Sequence, residues 1–107
     1  MRESQIEQYL VKRVNELGGE VRKVKWIGRR GAPDRLVMLP ERWLKAPDKY
    51  VGIERNYRKP PVAFWVELKA PGEKAKPHQV REHERMRRMG QHVVVVDSIE
   101  GVDEVLS

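Results

Sequence analysis

The chain has 107 residues, which suits one compact domain with a single hydrophobic core. It contains no cysteine, so disulfides, cysteine-based zinc sites and a thiol nucleophile are excluded, and a cytoplasmic protein is expected. No stretch is long and apolar enough to span a bilayer, and we expect no secretion signal. The 22 lysines and arginines outnumber the 16 aspartates and glutamates, and this formal net charge of +6 favours a polyanionic partner such as nucleic acid.

The first half of the chain is predicted to contain one helix, two strands and a long loop. Apolar residues at helical spacing predict a helix over 4–17. Branched and aromatic residues predict strands over 20–27 and 35–39. The stretch 41–61 holds prolines and many charges without a clear period. It is predicted to be a long loop with one short helical turn at 42–44.

The second half predicts two further strands and two helices. A strand over 62–69 is followed by a helix over 77–89, a buried strand over 93–96 and a final helix over 99–106. The two strands that flank a helix form a β-α-β unit, so we expect them to be parallel with a right-handed crossover. The order α-β-β-β-α-β-α predicts a single α/β domain over 1–107, with a mixed four-stranded sheet flanked by helices.

Acidic and basic side chains lie at the ends of two predicted strands. Asp34 lies at the entrance of the second strand, and Glu67 and Lys69 share one face at the end of the third. If these strands are neighbours, Asp34, Glu67 and the Leu68 carbonyl can hold a hard divalent cation. Such a cation activates water and neutralises phosphate charge, and Lys69 stabilises the charge that develops. The alternative is an ordinary surface salt bridge between Glu67 and Lys69.

These motifs resemble a known family. Gly31-Ala32-Pro33-Asp34, then Val66-Glu67-Leu68-Lys69, then Gln79 at the head of the next helix, resemble the VRR-NUC (virus-type replication-repair nuclease) domain of the PD-(D/E)XK nuclease superfamily. The resemblance implies a restriction-endonuclease-like core and a DNA endonuclease that depends on Mg²⁺ or Mn²⁺. It implies that Asp34 and Glu67 bind the metal and that Lys69 is catalytic. It also implies that Glu7 and Gln79 complete the site.

The resemblance extends to substrate and assembly. Stand-alone members are similar to homodimers that cut branched DNA, including four-way junctions. The resemblance therefore implies a homodimer that acts on four-way junctions or flaps inside a phage-infected or bacterial cell. The stretch 41–61 is not covered by the match. Its aromatic residues can stack on unpaired bases, form a small satellite core or contact a second subunit.

Several of the candidate residues keep an alternative interpretation. Ser4-x-x-Glu7 has capping-box spacing, so Glu7 can either bond back to the Ser4 amide or reach the site, directly or through water. Gln79 can be a solvated glutamine. The three histidines lack a partner at metal-ligand spacing, so zinc is not expected, and they are interpreted as DNA-facing or structural: His78, His83 and His92.

Basic residues near the candidate site are predicted to bind the DNA backbone. They lie in the loop before Asp34, after the catalytic strand and along the first strand: Arg29, Arg30, Lys74, Lys76, Arg22 and Lys25. Such contacts give affinity without sequence reading. Two rival functions remain open at this point, a basic DNA-binding module that never cuts and a sequence-specific restriction-type endonuclease.

Overall fold

The computed structural model describes residues 1–107, which form three helices and six strands. The helices are α1 (Glu3–Glu16), α2 (Pro77–Arg88) and α3 (Ile99–Leu106). The strands are β1 (Glu20–Lys23), β2 (Arg35–Leu39), β3 (Arg42–Pro47), β4 (Glu54–Lys59), β5 (Val62–Leu68) and β6 (Val93–Val96). None of the three helices combines the length and the apolar composition that crossing a membrane requires.

Four strands form a central mixed sheet in the order β1-β2-β5-β6. The pairs β1–β2 and β2–β5 are antiparallel, whereas β5 and β6 are parallel and are connected through α2. This arrangement confirms the predicted α/β fold with a mixed four-stranded sheet and flanking helices. The predicted β-α-β unit is the segment from β5 through α2 to β6.

The hydrophobic core lies between one face of this sheet and the helices α1 and α3. In β2 and β5, every second side chain is buried and faces these helices. The buried cluster contains Ile6, Leu10, Val14, Val37, Leu39, Phe64, Val66, Leu68, Val96, Val102 and Leu106. Because side chains alternate along a strand, Trp65 and Glu67 point to the other face, which α2 approaches.

The predicted long loop at 41–61, with its helical turn at 42–44, is wrong. The segment is a β-hairpin in which β3 and β4 pair from Arg42↔Lys59 to Pro47↔Glu54. The reversal is set by the Asp48 carboxylate, whose Oδ1 accepts hydrogen bonds from the amides of Tyr50 and Val51 at 2.8 and 3.2 Å. Every residue of β4 is exposed and β3 is only half-buried at alternate positions, so the ribbon lacks the apolar alternation that would have revealed it in the sequence.

The hairpin is attached to the core at its base. The Arg42 guanidinium donates a hydrogen bond to the Leu106 carbonyl at 2.8 Å, and the Lys59 ammonium donates to the Ser107 carbonyl at 3.1 Å. These carbonyls lie at the end of α3, where the helix leaves acceptors without partners. The hairpin follows the last residue of β2 and precedes the first residue of β5. It therefore leaves the sheet at the end opposite Asp34 and Glu67.

The first strand is shorter than the predicted 20–27. It ends at Lys23, although the Val24 amide still donates a hydrogen bond to the Asp34 carbonyl at 2.9 Å. The indole of Trp26 donates a hydrogen bond to the Pro33 carbonyl at 2.8 Å, and its ring lies 5.2 Å from that of Trp65. These contacts fold the segment back over the strand that carries Glu67.

Candidate active site

Asp34 and Glu67 lie opposite each other on neighbouring strands. In the antiparallel pairing of β2 with β5, Arg35 is the partner of Val66. One further step of this register places Asp34 across from Glu67, where side chains on one face have their Cβ atoms roughly 4.5–5.5 Å apart. The structure thus brings together two acids that are far apart in the sequence.

Glu67 is in an unfavourable place for a negative charge. Its side chain is only 12% exposed. Burial raises the pKa of Glu67 to about 7; the ammonium of Lys69 opposes this shift, and the negative charge of Asp34 adds to it. A group in this position is stabilised either by a proton or by a cation.

Lys69 stands on the same face as Glu67 because Val66 and Leu68 belong to the core on the other face. The backbone N–H of Lys69 donates to the Val96 carbonyl at 2.9 Å, so the parallel pairing with β6 extends past the end of β5. This bond fixes the strand end from which the ammonium projects.

Arg35 connects the two remaining acids of the site, and sequence reasoning missed it. Its guanidinium is almost buried and contacts Glu7 Oε2 and Asp34 Oδ1, each at 2.9 Å. Glu7 therefore reaches Asp34 through Arg35 and not directly. The alternation of side chains along β2 could have revealed its direction. Arg35 stands two and four residues before Val37 and Leu39, so it shares their face of the strand and points toward α1.

Glu7 does not form the capping box that the sequence left open. Helix α1 begins at Glu3, and its first residues are capped by Gln5, whose Oε1 accepts a hydrogen bond from the Arg2 amide at 2.7 Å. The Glu7 carboxylate is accordingly free to pair with Arg35. That capping interpretation of Glu7 is wrong because the helix starts one residue earlier than Ser4.

Gln79 lies in the first turn of α2, beside the loop that carries Asp34. Its Oε1 accepts a hydrogen bond from the Lys76 amide at 2.8 Å, which caps the helix. Gly31 packs against this turn with a φ of 86°, and a Cβ there would stand 2.8 Å from the His78 carbonyl oxygen and 3.2 Å from Gln79 Cα. Only glycine fits this close approach, so the Pro33-Asp34 loop rests directly on α2.

His83, one turn further along α2, is the other residue whose place sequence reasoning did not find. It is 1% exposed, and its Nε2 stands 3.4 Å from Glu67 Oε1. Burial lowers the pKa of His83, with the charges of Arg87 and Lys69 lowering it further. Of the two interpretations that the sequence left open for His83, DNA-facing or structural, the buried side chain supports the structural one.

A basic cleft opens beside Asp34. Its volume is about 550 Å³, and its lining residues are Lys23, Val24, Lys25, Trp26, Arg29, Ala32 and Asp34. Of the predicted DNA-binding residues, Lys25 and Arg29 line this cleft, whereas Arg22 is outside it and pairs with Glu20 at 2.9 Å. Arg30, Lys74 and Lys76 are exposed near the start of α2.

The metal-binding capacity of the site rests on few protein ligands. The structure holds no group of three or more Asp, Glu, His or Cys residues in a metal-binding arrangement. The donors near one another are the carboxylates of Asp34 and Glu67 and the backbone at Leu68. Such an all-oxygen set, completed by water, suits Mg²⁺ or Mn²⁺ better than zinc.

Comparison with known proteins agrees with this fold. No protein-family model matches the chain. It is 41% identical over 98 residues to "Putative nuclease p44" of Acyrthosiphon pisum secondary endosymbiont phage 1, covering 92% of this chain and 85% of that protein. A solved structure described as "VRR_NUC domain" matches with a TM-score of 0.71 and 39% identity, covering 97% of this chain and 92% of the other.

The architecture is that of a nuclease with a restriction-endonuclease-like core. By these similarities in sequence and in fold, the chain belongs to the VRR-NUC family.

The raised pKa of Glu67 predicts a pH dependence of stability in the metal-free protein. Between its ordinary value of 4.5 and about 7, folded Glu67 holds a proton that unfolded Glu67 has lost, so stability falls as the pH rises through this window. A glutamine side chain at this position would imitate the protonated acid. We expect Glu67→Gln to be more stable than the wild type by about 3 kcal/mol at pH 8 and equal to it at pH 4.

Urea unfolding in EDTA at the two pH values measures this difference. A Glu67→Gln protein that gains no stability at pH 8 would show that the folded site does not disfavour the charge of Glu67.

Proposed function

We propose that the protein is a divalent-metal-dependent DNA endonuclease that hydrolyses phosphodiester bonds. The observation that carries the proposal is the register of β2 and β5, which sets Asp34 across from Glu67 with Lys69 on the same face. Two carboxylates and an ammonium at one strand end form a charge pattern suited to a cation and a phosphate together. The nuclease family to which the chain belongs supports the same conclusion.

In this proposal the metal is Mg²⁺ or Mn²⁺, held by Asp34, Glu67 and the Leu68 carbonyl. When bound, the ion supplies Lewis-acid polarisation of the phosphate and activation of water. The fit is supported by Glu67, whose carboxyl is buried beside a second acid, so that a bound cation would replace its proton, which leaves to water.

The other site residues act on the substrate or on the metal ligands. Lys69 places its ammonium beside the phosphate and stabilises the charge that develops there. Gln79 uses its carbonyl oxygen as a helix cap, which leaves its NH₂ group to donate to a phosphate oxygen. Glu7 holds Arg35, and Arg35 holds Asp34, so Glu7 acts on the site through the guanidinium.

The basic cleft is where the DNA backbone is proposed to bind. Lys23, Lys25 and Arg29 line it next to Asp34, so a phosphate neutralised there lies beside the acids. The exposed side chains of Arg30, Lys74 and Lys76 extend the positive surface toward the start of α2.

Replacing Lys25 tests the cleft. Lys25→Ala should weaken DNA binding uniformly across sequences and lower the slope of log affinity against log salt by about 1, because one phosphate contact is lost. Lys49→Ala is the matched control, since Lys49 lies in the turn of the hairpin at the far end of the sheet. Fluorescence anisotropy between about 50 and 200 mM salt measures both slopes, and equal slopes for the two variants would contradict the assignment.

Removing the catalytic groups should separate cutting from binding. Lys69→Ala and Asp34→Asn should each lower the cleavage rate by about 100-fold or more while four-way-junction binding changes less than about threefold. Asparagine is chosen at Asp34 because its oxygen still accepts a hydrogen bond from buried Arg35. Cleavage of labelled linear, flap and junction DNA in Mg²⁺, Mn²⁺ or EDTA provides the readout.

The alternatives give different results in this assay. A DNA-binding module would bind the substrates and cut none of them in either metal. A restriction-type enzyme would cut linear duplex at one sequence with no preference for a branch. Variants that cut as well as the wild type would show that the site is elsewhere.

The proposed substrate is branched DNA and the proposed assembly is a homodimer. One chain carries one site and can nick one strand, so paired cuts across a junction require two sites, which a symmetric dimer supplies. The resemblance to stand-alone VRR-NUC proteins supports both points. The cytoplasmic location expected from the sequence stays a prediction.

Oligomeric state and product pattern together test the dimer. Sedimentation equilibrium should give twice the 12.6 kDa chain mass, and a supercoiled cruciform plasmid should be linearised in one binding event because both strands are cut. A monomer at assay concentration that still makes paired incisions would contradict the homodimer.

A further inference from the structure

His83 is a buried polar side chain whose Nε2 has no hydrogen-bond partner in the structure. The residue is 1% exposed on α2, between the helix and the central sheet. A buried donor or acceptor without a partner costs roughly 1–3 kcal/mol, and the hydrogen bond between the ring and the Gly31 backbone leaves Nε2 unsatisfied. Valine, leucine or methionine would fill the space without that cost.

The only acid that Nε2 of His83 approaches is Glu67. The distance to Glu67 Oε1 is 3.4 Å, and both groups are shielded from water, with the Glu67 side chain 12% exposed. This gap is about 0.5 Å longer than an ordinary hydrogen bond of about 2.9 Å, so the two side chains must approach each other to form one. Because water is excluded, such a bond would be the main constraint on the orientation of the carboxylate.

We propose that His83 is a positioning residue for Glu67. When its proton is on Nε2, the imidazole donates a hydrogen bond to Oε1 of the carboxylate, which leaves Oε2 free to bind the cation. His83 touches neither the substrate nor the metal, and it acts only through Glu67. This inference rests on the proposed metal-dependent activity and adds the residue that sets the geometry of its buried ligand.

Helix α2 is well placed for this task because it contacts both halves of the site. Next to His83, the nearly buried carboxylate of Glu82 pairs with Arg29 of the preceding loop at 3.3 Å. At the start of the helix, the His78 carbonyl lies where any side chain on Gly31 would collide with it. The loop that carries Asp34 and the strand that carries Glu67 therefore both contact helix α2. His83 is the residue of α2 that contacts the strand.

A direct role of His83 as a metal ligand does not fit the structure. Its Nε2 is directed at Glu67, and the two residues are not part of any group of three or more metal-binding side chains. A hydrogen bond to a ligating carboxylate is instead the common arrangement around protein-bound metals, and its loss typically costs about 10–100-fold in metal affinity or activity.

Two substitutions of similar size separate positioning from packing. His83→Gln keeps an N–H at the approximate position of Nε2, whereas His83→Met fills the same space without a donor. In the full chain, Mn²⁺ binding is measured by calorimetry without DNA, kcat and KM are measured on a flap substrate, and thermal unfolding is measured in EDTA.

We expect His83→Gln to stay within about threefold of the wild type in Mn²⁺ affinity and kcat. His83→Met should bind Mn²⁺ about tenfold more weakly and lose about tenfold in kcat at saturating metal, with KM for DNA unchanged. Its Tm in EDTA should match or exceed that of His83→Gln, because no buried polar atom is left unpaired.

Equal Mn²⁺ affinity and kcat in the two variants would overturn the proposal, whether both match the wild type or both fall together. Failure of the proposed function itself has a different signature. In that case the wild type would neither bind Mn²⁺ at the site nor cut DNA, whatever residue stands at position 83.

Discussion

The antiparallel register between β2 and β5 is the constraint that determines the geometry of the whole site. It sets two carboxylates opposite each other on one face, an arrangement that is unfavourable between like charges unless something neutralises them. The two negative charges are compensated differently. Asp34 receives the guanidinium of Arg35, whereas Glu67 is left with Lys69 as its nearby cation and with a pKa near neutrality. In the proposed function, a divalent cation supplies the positive charge that Glu67 still lacks.

The two faces of the sheet have separate tasks. The face toward α1 and α3 is almost entirely apolar and provides the core, and Arg35 is the one charged side chain buried there. The other face carries Glu67 and Lys69 and is only partly covered, by α2. The hairpin of β3 and β4 leaves the opposite end of the sheet, so it does not obstruct the approach of DNA to the acids. This division allows a small chain to combine a stable core with an accessible and electrostatically strained site.

The sequence predicted the parts of this arrangement that depend on local pattern. Alternation along β5 placed Glu67 and Lys69 on the face away from Val66, and glycine and proline located the loop before Asp34. It did not predict contacts that depend on how the elements pack. The pairing of Arg35 with Glu7 requires the position of α1 over β2, and the contact of His83 with Glu67 requires the rotation of α2 over β5. Both contacts depend on tertiary packing and leave no periodic pattern in the sequence.

The errors have the same origin. The hairpin was predicted as a loop because a ribbon that is exposed in β4 and only half-buried in β3 needs no apolar alternation. Its pairing comes from backbone hydrogen bonds and the turn at Asp48. Among the basic residues of the first strand, composition could not distinguish Arg22 from Lys23, although only Lys23 lines the cleft. The net charge predicted a positively charged surface. The shape of the loop at Trp26 decides which basic side chains lie beside Asp34.

The sharpest test of the paired acids as a metal site is a crystal structure of the protein grown with millimolar Mn²⁺, with anomalous scattering used to locate the ion. We expect a peak between the carboxylates of Asp34 and Glu67, at about 2.0–2.3 Å from an oxygen of each. The expectation would be contradicted if the two carboxylates pointed apart with no ion between them. It would also be contradicted if the anomalous peak lay at an ion bound by other residues.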